Sequence, residues 1–186
     1  MQKIIELTDG LEFGPIRIRD LIACGDYGCA FTTSQDDVVV KIGTQWSEYR
    51  FALRIISDKL SHPSLPIVYG ALDMREALEQ PFYALIREDI PDLHSVDAAW
   101  FNEVLADLEY AIDEEDTPDY VFSAAAEILE SRPGTAEDEL KFEQVAELTA
   151  WCLERGILLG DTLANNFGEK NGQIKLRDLG GARFLV

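Results

Sequence analysis

Gly156-Ile-Leu-Leu-Gly160-Asp161-Thr-Leu-Ala-Asn165-Asn166-Phe-Gly168, followed through a polar turn by Gln173-Ile-Lys175-Leu-Arg-Asp178-Leu-Gly180, is the stretch on which the reading of this chain turns. An apolar segment leads to a carboxylate at Asp161, an amide stands five residues on at Asn166, and a second carboxylate follows at Asp178. Between them, Glu169-Lys-Asn171-Gly172 carries an Asn-Gly turn signal, so the segments up to Gly168 and from Gln173 to Leu176 pair as a hairpin. Asp161 and Asn166 then sit on the loop before the hairpin and Asp178 just after it, loop positions that can converge on one point.

That order of groups suits phosphoryl transfer, in which one acid lies near an attacking hydroxyl while an amide and an acid hold Mg²⁺ on a triphosphate. Such a site needs a second half, and the upstream chain must supply it.

The bulk properties exclude several other classes. At 186 residues the chain can bury a core as one domain or two small ones, and 47% hydrophobic with 27% charged residues is the composition of a soluble globular protein. No apolar run approaches the ~20 residues that span a bilayer. Met1-Gln-Lys-Ile-Ile-Glu6 lacks the apolar core of a signal peptide, so a cytoplasmic protein without a membrane partner is expected. Cys24, Cys29 and Cys152, with only His62 and His94 beside them, do not form a zinc pattern. Reduced thiols are the simplest expectation. A net charge of −19 argues against binding nucleic acid through its phosphates. The acid is concentrated: Glu103 to Glu143 holds fourteen Asp and Glu against Arg132 and Lys141. Such a run is either a solvated helix face or a surface for a basic partner.

Residues 1–90 read as strands with one helix. Ile16-Arg-Ile-Arg19 alternates, Asp20–Cys24 runs into Gly25-Asp-Tyr-Gly28, and Cys29–Thr33 leads through Ser34–Asp37 into Val38-Val-Val-Lys41-Ile42. Strands joined by a tight Gly turn imply an antiparallel meander. Gly25 and Gly28 are then either a plain hairpin or a turn lying over phosphates. Alternation puts Val38, Val40 and Ile42 on one face and Val39 and Lys41 on the other. Lys41 there either reaches solvent or has an anion partner.

Trp46 to Leu60 is read as a helix whose buried stripe is Trp46, Tyr49, Leu53, Ile56 and Leu60. Glu48 falls at the edge of that face, either exposed or paired with Lys41. His62-Pro63 ends the helix. Ile67–Leu72 and Phe82–Ile86 are the next strands, and Arg87-Glu88-Asp-Ile-Pro91 breaks the pattern at a domain boundary.

Residues 91–186 are helical up to the opening stretch. Trp100 to Ile112 marks one amphipathic helix with Ser95 and Asp97 as capping candidates, and Tyr120 to Leu129 marks a second. Glu137 to Arg155 is a third, with Thr135 and Asp138 at capping-box spacing and Gly156 as its stop.

In this order the motifs resemble the protein-kinase-like family, over nearly the whole chain from about Asp20 to Gly180. The resemblance implies an α+β, two-lobe fold: an antiparallel sheet with one helix in the N-lobe (1–90) and a reduced helical C-lobe (91–186). Ala23-Cys-Gly25-Asp-Tyr-Gly28 is similar to the glycine-rich loop. Lys41 is similar to the lysine that contacts the α and β phosphates, with Glu48 as its partner. Ile86-Arg87-Glu88-Asp89 resembles the hinge that binds adenine through backbone groups. Asp161 takes the place of the base, and Asn166 and Asp178 those of the Mg²⁺ ligands. The implied cofactors are ATP and Mg²⁺.

The sequence also departs from the family. Ala23 replaces the first glycine of the loop, Leu159-Gly160 stands where the family has His-Arg, and Leu163 replaces the lysine two residues after the base. Val186 follows closely on Gly180, so no activation segment is expected. Compact kinases of this kind resemble those of bacteriophages and of bacterial effectors delivered into a host cytoplasm. The expected activity is an atypical Mg²⁺–ATP-dependent kinase that phosphorylates a protein hydroxyl, its own included, with the partner docked on the acidic helices 103–143. The alternative is a pseudokinase or acidic interaction module that binds a partner without transfer.

Overall fold

The β-branched runs and turn formers of the first half produce strands β1 (Glu12–Phe13), β2 (Ile16–Cys24), β3 (Gly28–Thr33), β4 (Val38–Gly43), β5 (Val68–Asp73) and β6 (Tyr83–Glu88). They form one sheet in the order β1-β2-β3-β4-β6-β5, with every neighbouring pair antiparallel. The computed structural model describes residue 4 and residues 11–78, 81–114 and 117–185. The chain divides into two compact units, Met1–Leu60 with Ile67–Asp89, and Ser61–Pro66 with Ile90–Val186.

In the first unit Cys29, Phe31, Val40, Ile42, Ala84 and Ile86 close one apolar core against one face of the sheet. The alternation read from β4 holds, since Val40 and Ile42 enter that core while Lys41 points to the other face, where α1 (Trp46–Ser57) lies. The helix turns a different side inward from the expected one. Glu48, Phe51, Ala52 and Ile55 are buried, whereas Leu53 and Ile56 are exposed and the helix ends at Ser57. Counting apolar residues favoured the Trp46–Tyr49–Leu53–Ile56 stripe because it treats a glutamate as unburiable. With a cation and a hydroxyl waiting for it, the carboxylate goes inside and fixes the helix's rotation.

The thiol expectation is also corrected. Cys24 and Cys29 are directly opposite across β2 and β3, with Cα atoms 4.1 Å apart, and are joined by a disulfide. A tight turn placed the two side by side, which a count of cysteines does not reveal. The bond brackets Gly25-Asp26-Tyr27-Gly28. Cys152 is free and buried, and burial pushes its thiol up to about 12.

The second unit is built on α3 (Ala98–Glu114), α4 (Pro118–Ser131) and α5 (Ala136–Leu153), with α4 packed against both of the others; the single turn α2 (Arg75–Leu78) belongs to the first unit. Among the described residues no helix is long and apolar enough to cross a membrane. Thr135 and Asp138 form the reciprocal capping box of α5. At α3 the cap is Asp97, whose Oδ1 accepts from Ala99 N at 2.9 Å and Trp100 N at 3.2 Å. Ser95 instead donates to Glu169.

After Gly156, whose φ of +65° ends α5, β7 (Ile157–Leu158) pairs with β10 (Arg183–Phe184). The hairpin of β8 (Phe167–Lys170) and β9 (Gln173–Leu176) turns at Asn171 and Gly172, with φ of +56° and +75°, the pair of positive values a two-residue type I′ turn needs. Lys141 of α5 holds this hairpin: it is buried, lies 2.9 Å from Glu169 Oε1 and donates to Gly172 O at 2.9 Å.

Two outcomes test this arrangement. Iodoacetamide labelling of denatured protein, read by mass, should find one reactive thiol before reduction and three after it, while native protein at pH 8 stays unlabelled. The Ser95 hydroxyl and then the Lys141 ammonium hold the Glu169 carboxyl below its usual value of 4.5. Its contribution to stability is therefore complete above that pH and is lost as pH falls through the folded value. Thermal melts of Glu169→Gln should show a lower Tm than wild type at neutral pH, with the gap closing as pH drops below 4.5.

Candidate functional site

The residues singled out in the sequence fall into two groups, one in each unit. In the first, Lys41 Nζ lies 2.9 Å from Glu48 Oε2 and 3.0 Å from Oε1. The Glu48 side chain is 0% exposed and that of Lys41 13%. A charge so enclosed is tolerable only with a cation and further donors. The second donor is Tyr83 of β6, fully buried, whose hydroxyl binds Glu48 Oε2. A Cβ on Gly43 would lie 2.6 Å from the Tyr83 hydroxyl oxygen, so the bare backbone there clears its path. Sequence reading missed Tyr83. Only the pairing of Gly43 with Tyr83 across β4 and β6 reveals it.

Gly25 and Gly28 differ in what they do. Gly25 N donates to Gly28 O at 2.9 Å and closes the turn, yet a Cβ at Gly25 would meet nothing within 4 Å. A Cβ at Gly28 would lie 2.6 Å from Ile42 O, so close strand approach requires that glycine. Glu88 is buried and engaged inside its own unit. Its Oε1 accepts from Ile67 N at 2.8 Å, its N–H donates to Ile67 O at 2.9 Å, and its carbonyl accepts from Arg87 Nη1 at 2.8 Å. These bonds tie β6 to the residue that leads into β5.

In the second unit Asn166 is the hub. It ends a 3₁₀ turn (Ala164–Asn166), and its Nδ2 donates to Asp161 O. Its own carbonyl accepts from Arg177 N at 2.7 Å and Asp178 N at 3.2 Å. One asparagine thus bonds to the backbone of both carboxylate-bearing residues. Asp178 Oδ1 accepts from Gly180 N at 2.8 Å, and Gly160 N donates to Gly181 O at 3.2 Å. A Cβ on Gly181 would lie 1.8 Å from Gly160 O, so only glycine allows this approach. Asp161 adopts φ of +55°, a left-handed conformation that aspartate tolerates better than most residues, and its side chain is exposed.

Among the described residues no three His, Cys, Asp or Glu side chains group as a metal site. A carboxylate and an amide oxygen are hard donors of the type Mg²⁺ accepts, and they fit an ion that keeps water and phosphate oxygens as its remaining ligands. Beside the Asp161–Asn166 loop lies an open cavity of about 540 Å³ lined by Leu93, Asn102, Leu163, Ala164, Asn165 and Arg177, among others.

Part of the acidic run is engaged within the unit. Arg132 bridges Glu103 at 2.7 Å and Asp107 at 2.8 Å, Arg183 reaches Asp113 at 3.2 Å, and Glu139 accepts from Gly134 N at 3.0 Å. Glu115 and Asp116 lie outside the described residues.

No family model matches the chain, and no curated protein matches it. Among solved structures it is similar to PpkA-294 in its apo form, at a TM-score of 0.57 and 12% identity, over 92% of this chain and 60% of that one. The chain thus spans about 60% of the length of that neighbour. The likeness is one of fold alone, α+β with an antiparallel sheet.

The buried ion pair yields a direct stability test. Lys41→Met strands the Glu48 carboxylate and should destabilise the protein by about 3 kcal/mol in urea denaturation. Lys41→Met combined with Glu48→Leu and Tyr83→Phe should recover most of that loss, because the apolar set carries no desolvation penalty and leaves no orphaned hydroxyl.

Proposed function

We propose that this chain is an atypical Mg²⁺–ATP-dependent kinase that transfers the γ-phosphate to a protein hydroxyl, autophosphorylation included. The observation that carries the reading is the hub at Asn166, which bonds to the backbone of both Asp161 and Asp178. An acid to orient the acceptor, with an amide and a second acid for Mg²⁺, is one set of groups that serves phosphoryl transfer, and these bonds hold the backbone that carries such a set. Kinship of fold with PpkA-294 supports the reading.

In this proposal Lys41, kept charged and aimed by Glu48, takes the α and β phosphates. Asp178 and the Asn166 side-chain oxygen hold Mg²⁺, which when bound neutralises charge on the phosphates. Asp161, exposed on its loop, orients the acceptor hydroxyl and takes its proton. The acids of residues 103–143 that are not spent within the unit are the proposed docking face for a basic partner.

The test is transfer of radiolabelled γ-phosphate to the protein itself and to a panel of basic proteins, with and without Mg²⁺. Asp161→Asn should lower transfer by roughly 10²–10⁴-fold, the range for losing a positioned acid or base, while an ATP-induced thermal shift persists. Asp178→Ala should remove the Mg²⁺-dependent part of that shift. Transfer undiminished in Asp161→Asn would overturn the role given to that residue. A nucleotide-induced shift without transfer to any acceptor would instead identify a pseudokinase.

A further inference from the structure

The loop that carries Asp161 is held by α3, a helix that sequence reading assigned only to packing and to an acidic surface. Glu109 directs both carboxylate oxygens at it. Oε1 accepts from Asp161 N at 3.0 Å, while Oε2 accepts from Thr162 N at 3.2 Å and from the Thr162 hydroxyl at 3.0 Å. Two turns earlier on the same helix, Asn102 Oδ1 accepts from Ala164 N at 2.8 Å. Residues seven apart return to the same helix face ~10 Å along the axis, so one edge of α3 meets the loop at both ends. Glu103 and Asp107, on the neighbouring face, bind Arg132 instead.

The bonding follows from the loop's own conformation. Asp161 is left-handed at φ +55°, which lets successive backbone N–H groups converge into a small anion-binding concavity. Here the anion is the chain's own glutamate, and Thr162 is buried beside it. Both N–H bonds are charge-assisted and directional. The Asp161 side chain is exposed, so the backbone must set the direction in which its carboxylate points.

We infer that Glu109 and Asn102 are positioning residues: they bind the backbone on either side of Asp161 and fix the aim of its carboxylate toward the acceptor hydroxyl. This assignment of role rests on the kinase reading, whereas the clamp itself does not. Small errors of aim are expensive in transfer reactions, because a displacement of about 1 Å at the reacting group lowers rate by about 10²-fold. The nucleotide and metal residues have their own anchors, Lys41 on Glu48 and Asp178 on the Asn166 carbonyl. Loss of the clamp should therefore lower kcat and spare KM for ATP.

The experiment has one readout that needs no activity. Amide exchange followed by NMR on the whole protein should show the Asp161 and Thr162 amides exchanging at least tenfold faster in Glu109→Gln, whose side-chain NH₂ faces one of the two N–H groups. The Ala164 amide should respond in the same way in Asn102→Ala. Leu105 and Leu108, inside α3, should keep their protection in both variants, and Asp107→Asn should leave the loop amides unchanged. Unchanged exchange at Asp161 and Thr162 in Glu109→Gln, or equal acceleration throughout α3, overturns the clamp. Where wild type transfers phosphate, Glu109→Gln should reduce kcat about 10²-fold with KM for ATP within twofold. Faster loop exchange with kcat unaltered overturns the positioning role. If wild type itself transfers none, the kinase reading fails and the exchange data still decide the clamp.

Discussion

A carboxylate with no access to water governs the first unit. Glu48 is enclosed, and an enclosed anion without partners is among the most destabilising features a core can hold. Lys41 from β4 and Tyr83 from β6 meet it together, and Gly43 makes room for the phenol. That requirement sets how α1 is rotated and which of its residues are left in solvent. The helix consequently exposes Leu53 and Ile56, two residues any apolar count would bury. The same constraint keeps a lysine ammonium fixed on the sheet, which is the feature a phosphate-binding reading needs.

The second unit solves a complementary problem. A stretch between α5 and its closing strand has few backbone partners of its own, and buried or crowded N–H groups must find acceptors. Asn166 accepts from the segment carrying Asp178 and donates to Asp161, and Glu109 and Asn102 take up three more amides. The loop is held almost wholly through its backbone. With the backbone so held, the Asp161 side chain can stand exposed in a defined conformation while those of Thr162 and Asn166 help to brace the loop.

These two anchored groups, on an α+β fold, are what the phosphotransferase proposal rests on. Gly181 permits the close approach of Gly160 O, which a Cβ would meet at 1.8 Å. Order at this loop comes from that glycine contact and from α3. The disulfide across Gly25–Gly28 adds a covalent brace at a turn whose first glycine has no steric need to be one.

The sequence by itself determined the elements and the candidate chemistry. Alternation marked β2 and β4, the capping-box spacing marked the start of α5, and Asn171-Gly172 marked the hairpin, because each signal is local and acts over a few residues. The spacing of Asp161, Asn166 and Asp178 was legible for the same reason. Only the tertiary structure decided that Glu48 is buried, that Tyr83 completes its shell, that Cys24 faces Cys29, and that Glu109 serves the loop and not the surface. Each of these joins residues from different elements or depends on how a turn closes. Hydrophobic counting ranks residues one at a time, whereas the burial of a charge depends on which partners the fold brings to it.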